Sequence, residues 1–159
     1  MTDIPGHQTP LQRAALAMVL LNCFTTPLML SAVNVALPAI ARDLRLNAVM
    51  LSWVPMSFLM ASAMFVLIFG RLADMYGRKR IFMYGTAGVV VTSLLAALAV
   101  NGAFLIGARF LQGVCAAMLY ATQMAIVSSV FPPARRGQAI GLAVSTIYLG
   151  LTAGPLIGG

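Results

Sequence analysis

The residue with the most chemistry to explain is Arg109, the one charge well inside an apolar run of this chain. An ionisable side chain at bilayer depth costs several kcal/mol and marks a functional position by default. At about 100° per residue, Arg109, Gln112, Gly113, Ala116, Tyr120 and Gln123 share one helical sector, while Leu111, Val114, Cys115 and Met118 fall elsewhere. A stripe of that kind should face a cavity or another helix and not lipid. The plainer reading is a structural arginine bonded to carbonyls at a helix break.

Two further clusters stand out. The segment Gly70-Arg-Leu-Ala-Asp74-Met-Tyr-Gly77-Arg78-Lys79-Arg80 sets one acid among four basic residues. Gly70 would let another helix approach closely, and Gly77 permits a tight turn. Asp74 can pair with Arg78 or sit near the positive N-terminal end of a helix. An ordinary basic loop explains the cations but not the Gly–Asp–Gly–Arg spacing. Near the other end, Gly150, Gly154 and Gly158 recur every four residues, with Gly159 following. They make one flat helical face, suited to helix–helix packing, while Pro155 removes a backbone donor and invites a kink.

The elements that must position these residues follow from composition. Hydrophobic residues make up 61% of the 159 residues and charged ones 8%. Soluble domains carry about 25% charged residues, so this chain cannot build a water-facing surface. One helical span needs about 20 apolar residues, and five fit, at about 14–37, 48–70, 81–100, 103–131 and 138–159. The expected fold is therefore all-α, a polytopic transmembrane bundle over 14–159 behind a cytoplasmic tail at 1–13. The first apolar run is longer than a cleavable signal core, and four more follow it.

If the spans alternate, Arg13, Arg71, Arg78, Lys79, Arg80, Arg135 and Arg136 share one side, against Arg42 and Arg45 on the other. That bias places the N-terminus in the cytoplasm of a cell membrane. It also accounts for the net charge of +7 without nucleic acid. The chain has no phosphate-binding glycine loop, its one histidine, His7, lies in the polar tail, and Cys23 and Cys115 lack metal-ligand spacing. No enzyme chemistry, cofactor or metal is expected.

The same clusters carry a resemblance. The segment from Gly70 to Arg80 is similar to the G-x-L-a-D-x-x-G-R-K/R loop between spans two and three of the major facilitator superfamily. Arg109-Phe-Leu-Gln112-Gly113-Val-Cys-Ala-Ala resembles its span-four pattern R-x-x-q-G-x-g-a-a. Gly150-Leu-Thr-Ala-Gly154-Pro155-Leu-Ile-Gly158-Gly159 resembles the span-five pattern of its antiporters. Ser31-Ala-Val-Asn34-Val-Ala-Leu-Pro38 is similar to the span-one signature of its fourteen-span drug:proton exporters, a branch that Leu51-Ser-Trp53 also fits. The resemblance implies a gating role for Gly70, Asp74, Gly77 and Arg78, which in that family latch the two halves in the outward-facing state. It implies a coupling or cavity role for Arg109, Gln112, Gly113, Tyr120 and Gln123, and an N-terminal half whose complete form holds six helices in inverted repeats.

Two departures matter. Met29 stands where the span-one signature has an acid, and Phe58 where an aromatic hydroxyl is common. The three acids, Asp3, Asp43 and Asp74, all lie outside the spans. Arginine stays protonated, so a proton-coupling carboxylate would have to come from further spans. The expected function is secondary export of amphipathic or cationic small molecules by alternating access, with protons as coupling ion and missing C-terminal spans completing the transporter. A metabolite facilitator without proton coupling, argued from Met29, and a truncated non-transporting membrane protein, argued from the length, are the alternatives.

Overall fold

The computed structural model describes residues 10–158; Asp3, His7 and Gly159 lie outside them. Five helices follow one another: α1 (Pro10–Asp43), α2 (Ala48–Tyr76), α3 (Arg78–Ala97), α4 (Gly102–Val130) and α5 (Pro133–Gly158). Each is long and apolar enough to cross a membrane.

α1 and α2 overrun the apolar stretches that announce them, while α3 ends short of its own, at Ala97. The first two stretches stop near 37 and 70, whereas α1 and α2 continue to Asp43 and Tyr76. Hydropathy falls where a helix leaves the hydrocarbon, yet the helix runs on; even Pro38, which removes one ladder bond, does not end α1. At 1.5 Å per residue the 34 residues of α1 reach about 51 Å, well past a hydrocarbon core of about 30 Å. The last part of the expected tail, from Pro10 to Arg13, is accordingly helix. α5 likewise begins earlier than the apolar stretch, at Pro133, where a missing N–H costs nothing and the fixed φ suits a first helical residue.

Short polar signals make the turns. Asn47 and Asn101 cap α2 and α4, their side-chain oxygens accepting the backbone N–H of Met50 and Phe104, each at 2.8 Å. Gly77 alone separates α2 from α3, at φ +97°. That backbone region strains any residue with a Cβ, so the glycine is required by conformation.

The most extensive packing joins α2 to α4, α1 to α5 and α3 to α4. Close approach is made by glycines. A Cβ added to Gly113 would meet the Phe58 carbonyl of α2, and one on Gly85 of α3 would come 2.8 Å from the Met118 Cβ. Gln12 at the start of α1 donates to the Val130 carbonyl at the end of α4, and Arg78 at the start of α3 donates to the Ala125 carbonyl of the same helix. These links gather the start of α1, the α2–α3 turn and the α4–α5 turn at one end of the bundle. The seven basic residues grouped by sequence therefore lie at the same end. Outward faces are strongly apolar; Leu67 is 80% exposed and Leu156 86%. Such surfaces suit lipid, and the helical form satisfies nearly all backbone groups within each span, as a bilayer requires.

Candidate functional site

α4 is the positioning element, because it packs against both α2 and α3 and carries the polar stripe inward. Arg109 is 5% exposed and Gln112 3% exposed. The Arg109 Nη1 donates to Gln112 Oε1 at 2.9 Å, one helical turn away. That bond fixes the amide orientation, so Gln112 Nε2 points to α3 and donates to Ser93 Oγ at 2.8 Å. The Ser93 hydroxyl donates to the Val89 carbonyl at 2.6 Å, and Met29 Sδ of α1 lies 4.0 Å from the same oxygen. The result is a directional chain from cation to amide to hydroxyl to backbone, closed by a thioether. The Arg109 Nε, also buried, has no hydrogen-bond partner.

A space of about 10 Å³ adjoins this chain. Thr26, Met29 and Leu30 of α1, Phe58 of α2 and Val89 of α3 line it with Arg109 and Gln112. Four helices thus converge on one guanidinium. The stripe does not stay together along the whole of α4. Gln123, 8% exposed, faces α1, where Cys23 Sγ donates to its Oε1 at 3.6 Å. Tyr120, 37% exposed, sits at the edge of the packed interior. Gly113 belongs to the α2 contact and not to the polar chain.

The loop cluster forms a second site at the basic end. Arg78 Nη2 and Nε both donate to Asp74 Oδ1, at 3.1 and 3.3 Å, while Nη1 donates to the Ala125 carbonyl at 3.2 Å. An acid in the last turn of α2 and a cation at the first residue of α3 each oppose the local helix dipole, and pairing them offsets both penalties. The two side chains are 66% and 42% exposed, so the pair contributes under about 1 kcal/mol. It can open cheaply. Gly70 differs from expectation: a Cβ added there meets nothing within 4 Å, so no helix among the described residues approaches it.

The glycine face of α5 lies against α1. Added Cβ atoms would meet the Phe24 carbonyl at Gly150, and Ser31 at Gly154. Pro155 has no N–H to give to the carbonyl four residues back, that of Leu151. Ser31 Oγ supplies the missing donor from α1 at 3.0 Å. Sequence reading flagged Pro155 but not this partner, and it missed Ser93 altogether. Gly158 closes α5, and Gly159 lies outside the described residues. Asn34 and Pro38 are exposed on α1 and take no part in the Arg109 cluster.

Comparison with known proteins places this arrangement. The family model of the Major Facilitator Superfamily matches residues 19–159. The chain belongs to the major facilitator superfamily. It is 35% identical over 126 residues to a probable actinorhodin transporter of Streptomyces coelicolor, covering 79% of this chain and 22% of that protein. It is 34% identical to the multidrug efflux pump LfrA of Mycolicibacterium smegmatis, covering 99% and 32%. With the multidrug resistance protein Stp of Mycobacterium tuberculosis it shares 38% identity, covering 80% and 24%. The chain thus spans about a third or less of the length of these relatives, which are transport and resistance proteins. It is a multi-pass member of a superfamily of transporters, and drug and antibiotic export recurs in the names of its relatives.

Proposed function

We propose that this chain is the N-terminal part of a secondary exporter of amphipathic small molecules, working by alternating access in a cell membrane with its N-terminus in the cytoplasm. The observation that carries the reading is the buried Arg109–Gln112–Ser93 chain at the convergence of four helices. A cation held there at the expense of stability needs a task, and substrate handling or coupling is the task a transporter offers it. The resistance and efflux proteins among the relatives support export, and the Gly150–Gly154–Pro155 face of α5 is of the antiporter type.

Protons are the proposed coupling ion. Because Met29 and not a carboxylate closes the chain from Arg109, the titrating group would belong to spans beyond these five. The Asp74–Arg78 pair is the proposed gate latch, since its exposure makes it cheap to break and remake.

The test is accumulation of a fluorescent amphipathic dye in inverted vesicles holding the full-length transporter under an imposed proton gradient. Gradient-dependent uptake that collapses on adding a protonophore is expected. Equilibration indifferent to the gradient would instead favour the uncoupled facilitator, the reading for which Met29 argues. Absence of any uptake above empty vesicles would refute transport of such molecules.

A further inference from the structure

We propose that the Arg109 pocket receives an anionic group, a carboxylate or comparable oxyanion carried by the transported molecule, so that this half of the transporter selects for anionic or zwitterionic amphiphiles. The proposal deepens the exporter reading and rests on it for the word transported, but the site itself is argued from the structure.

A buried guanidinium needs a counter-charge, and breaking or omitting one at depth is strongly destabilising. Among the described residues only Asp43 and Asp74 could supply it, and both are exposed near helix ends, Asp74 being already engaged by Arg78. What Arg109 has is a neutral amide on Nη1 and nothing on Nε. Besides Arg109 and Gln112, whose Oε1 already accepts from Nη1, the neighbouring space is lined by Thr26, Met29, Leu30, Phe58, Val89 and Ala116, which offer one hydroxyl and no negative charge. Its volume of about 10 Å³ is what one water-sized atom needs. One carboxylate oxygen fits there, and the remainder of a ligand does not, so the ligand's body must lie beyond the pocket.

Gln112 and Ser93 act as positioning residues. The amide holds Nη1 on one side and, through Ser93, is itself anchored to α3. The guanidinium is thereby held through Nη1, and its buried Nε–H remains an unused donor for a single ligand oxygen. Among the described residues the formal charge facing the space is positive, so this pocket favours an anionic group over a cationic one.

The test separates binding from transport. Equilibrium binding to the purified full-length transporter is measured by fluorescence polarisation for a free-carboxylate rhodamine and its methyl ester, which differ at one group. The acid is expected to bind about tenfold or more tightly than the ester, the range for a hydrogen bond to a charged group. Arg109→Gln is expected to bring the ratio to about one by weakening the acid alone. Should Arg109→Gln not fold, Gln112→Glu serves instead: it keeps the arginine and supplies an internal carboxylate, which should compete for the guanidinium and abolish the preference for the acid.

Equal binding of acid and ester to the parent protein overturns the proposal, whether or not either dye is transported. So does an undiminished preference in Arg109→Gln, or in Gln112→Glu. Chloride that stabilises the protein in an Arg109-dependent manner and displaces the acid competitively would assign the pocket to an inorganic ion, which also overturns it. A preference for the acid without gradient-driven accumulation leaves the site standing and refutes the exporter reading alone.

Discussion

Ser31→Ala probes how α5 tolerates a proline on the face it presses against α1. The parent protein satisfies the Leu151 carbonyl through Ser31 Oγ at 3.0 Å, since Pro155 has no N–H to return to it. Alanine at 31 keeps the Cβ that packs over Gly154 and removes only the hydroxyl, so the loss isolates one interhelical hydrogen bond. Such bonds within membranes are worth about 0.6 kcal/mol on average and up to about 1.7. The value here should fall in the upper half of that range, because the bond replaces a missing backbone donor.

The decisive arm is Pro155→Ala. Alanine at 155 restores the ordinary i to i−4 bond to Leu151, after which Ser31→Ala should cost little. The double-mutant cycle therefore predicts a coupling of about 1 kcal/mol, with the serine mattering only while the proline is present. Reversible unfolding of the full-length transporter in mixed micelles of sodium dodecyl sulfate and a non-ionic detergent would measure all four corners. Strict additivity would show that Ser31 does not compensate for Pro155, and the account of this interface would fall.

Three further outcomes are expected. Asp74→Asn should change stability by less than about 1 kcal/mol, as befits an exposed pair, yet depress dye transport several-fold; transport equal to the parent's would return the loop to a mere topology anchor. Gly113→Ala should destabilise by about 1–2 kcal/mol, since the Cβ meets the Phe58 carbonyl and lies 2.9 Å from Ala61 Cβ, whereas Gly107→Ala on the same helix, in open space, should be neutral or gain up to about 1 kcal/mol from helix propensity; the reverse order in thermal unfolding would refute the α2–α4 register. In a background with Cys23 and Cys115 replaced, a cysteine at Arg135 should be labelled from the cytoplasm and one at Asn47 from outside; labelling of both from the same face would refute the orientation.

What could be read in the sequence was whatever one helix declares by itself. Span existence follows from hydropathy, the inward stripe of α4 from its period, and the turn at Gly77 from the single residue type that tolerates φ +97°. Pairing between helices is not declared that way, because it depends on which residues of two separate segments come level. Ser93 is an ordinary serine in an apolar helix until α3 and α4 are set side by side. Ser31 is one residue in a span-one signature until Pro155 is seen to leave Leu151 without a donor. The orphaned carbonyl was in fact predictable from Pro155, and a search for small hydroxyl residues on the partner helix could have proposed its donor. Gly70 is the opposite case: its pattern invites a packed role, and among the described residues nothing lies within 4 Å of where its Cβ would be.

The contrast between the two polar sites bears on how such a half-transporter would move. The Arg109 chain is buried and directional: reorienting one member breaks two bonds in a medium where water cannot replace them, and each buried group left unsatisfied costs about 1–3 kcal/mol. The Asp74–Arg78 pair is exposed and can exchange its partners for water at almost no cost. The glycine contacts of α4 with α2 and of α5 with α1 bring neighbouring backbones so close that a small slide meets a carbonyl. Packed this way, those helices resist moving past one another. Any rocking of this bundle against other spans should therefore carry the Arg109 pocket as a rigid unit and open at its basic end, where Arg78 holds Asp74 and α4 by bonds that solvent can substitute. Under that division of labour the pocket need not reshape itself to alternate between the two aqueous phases. Only its access would have to change, and the exposed Asp74–Arg78 pair lies where that change would begin.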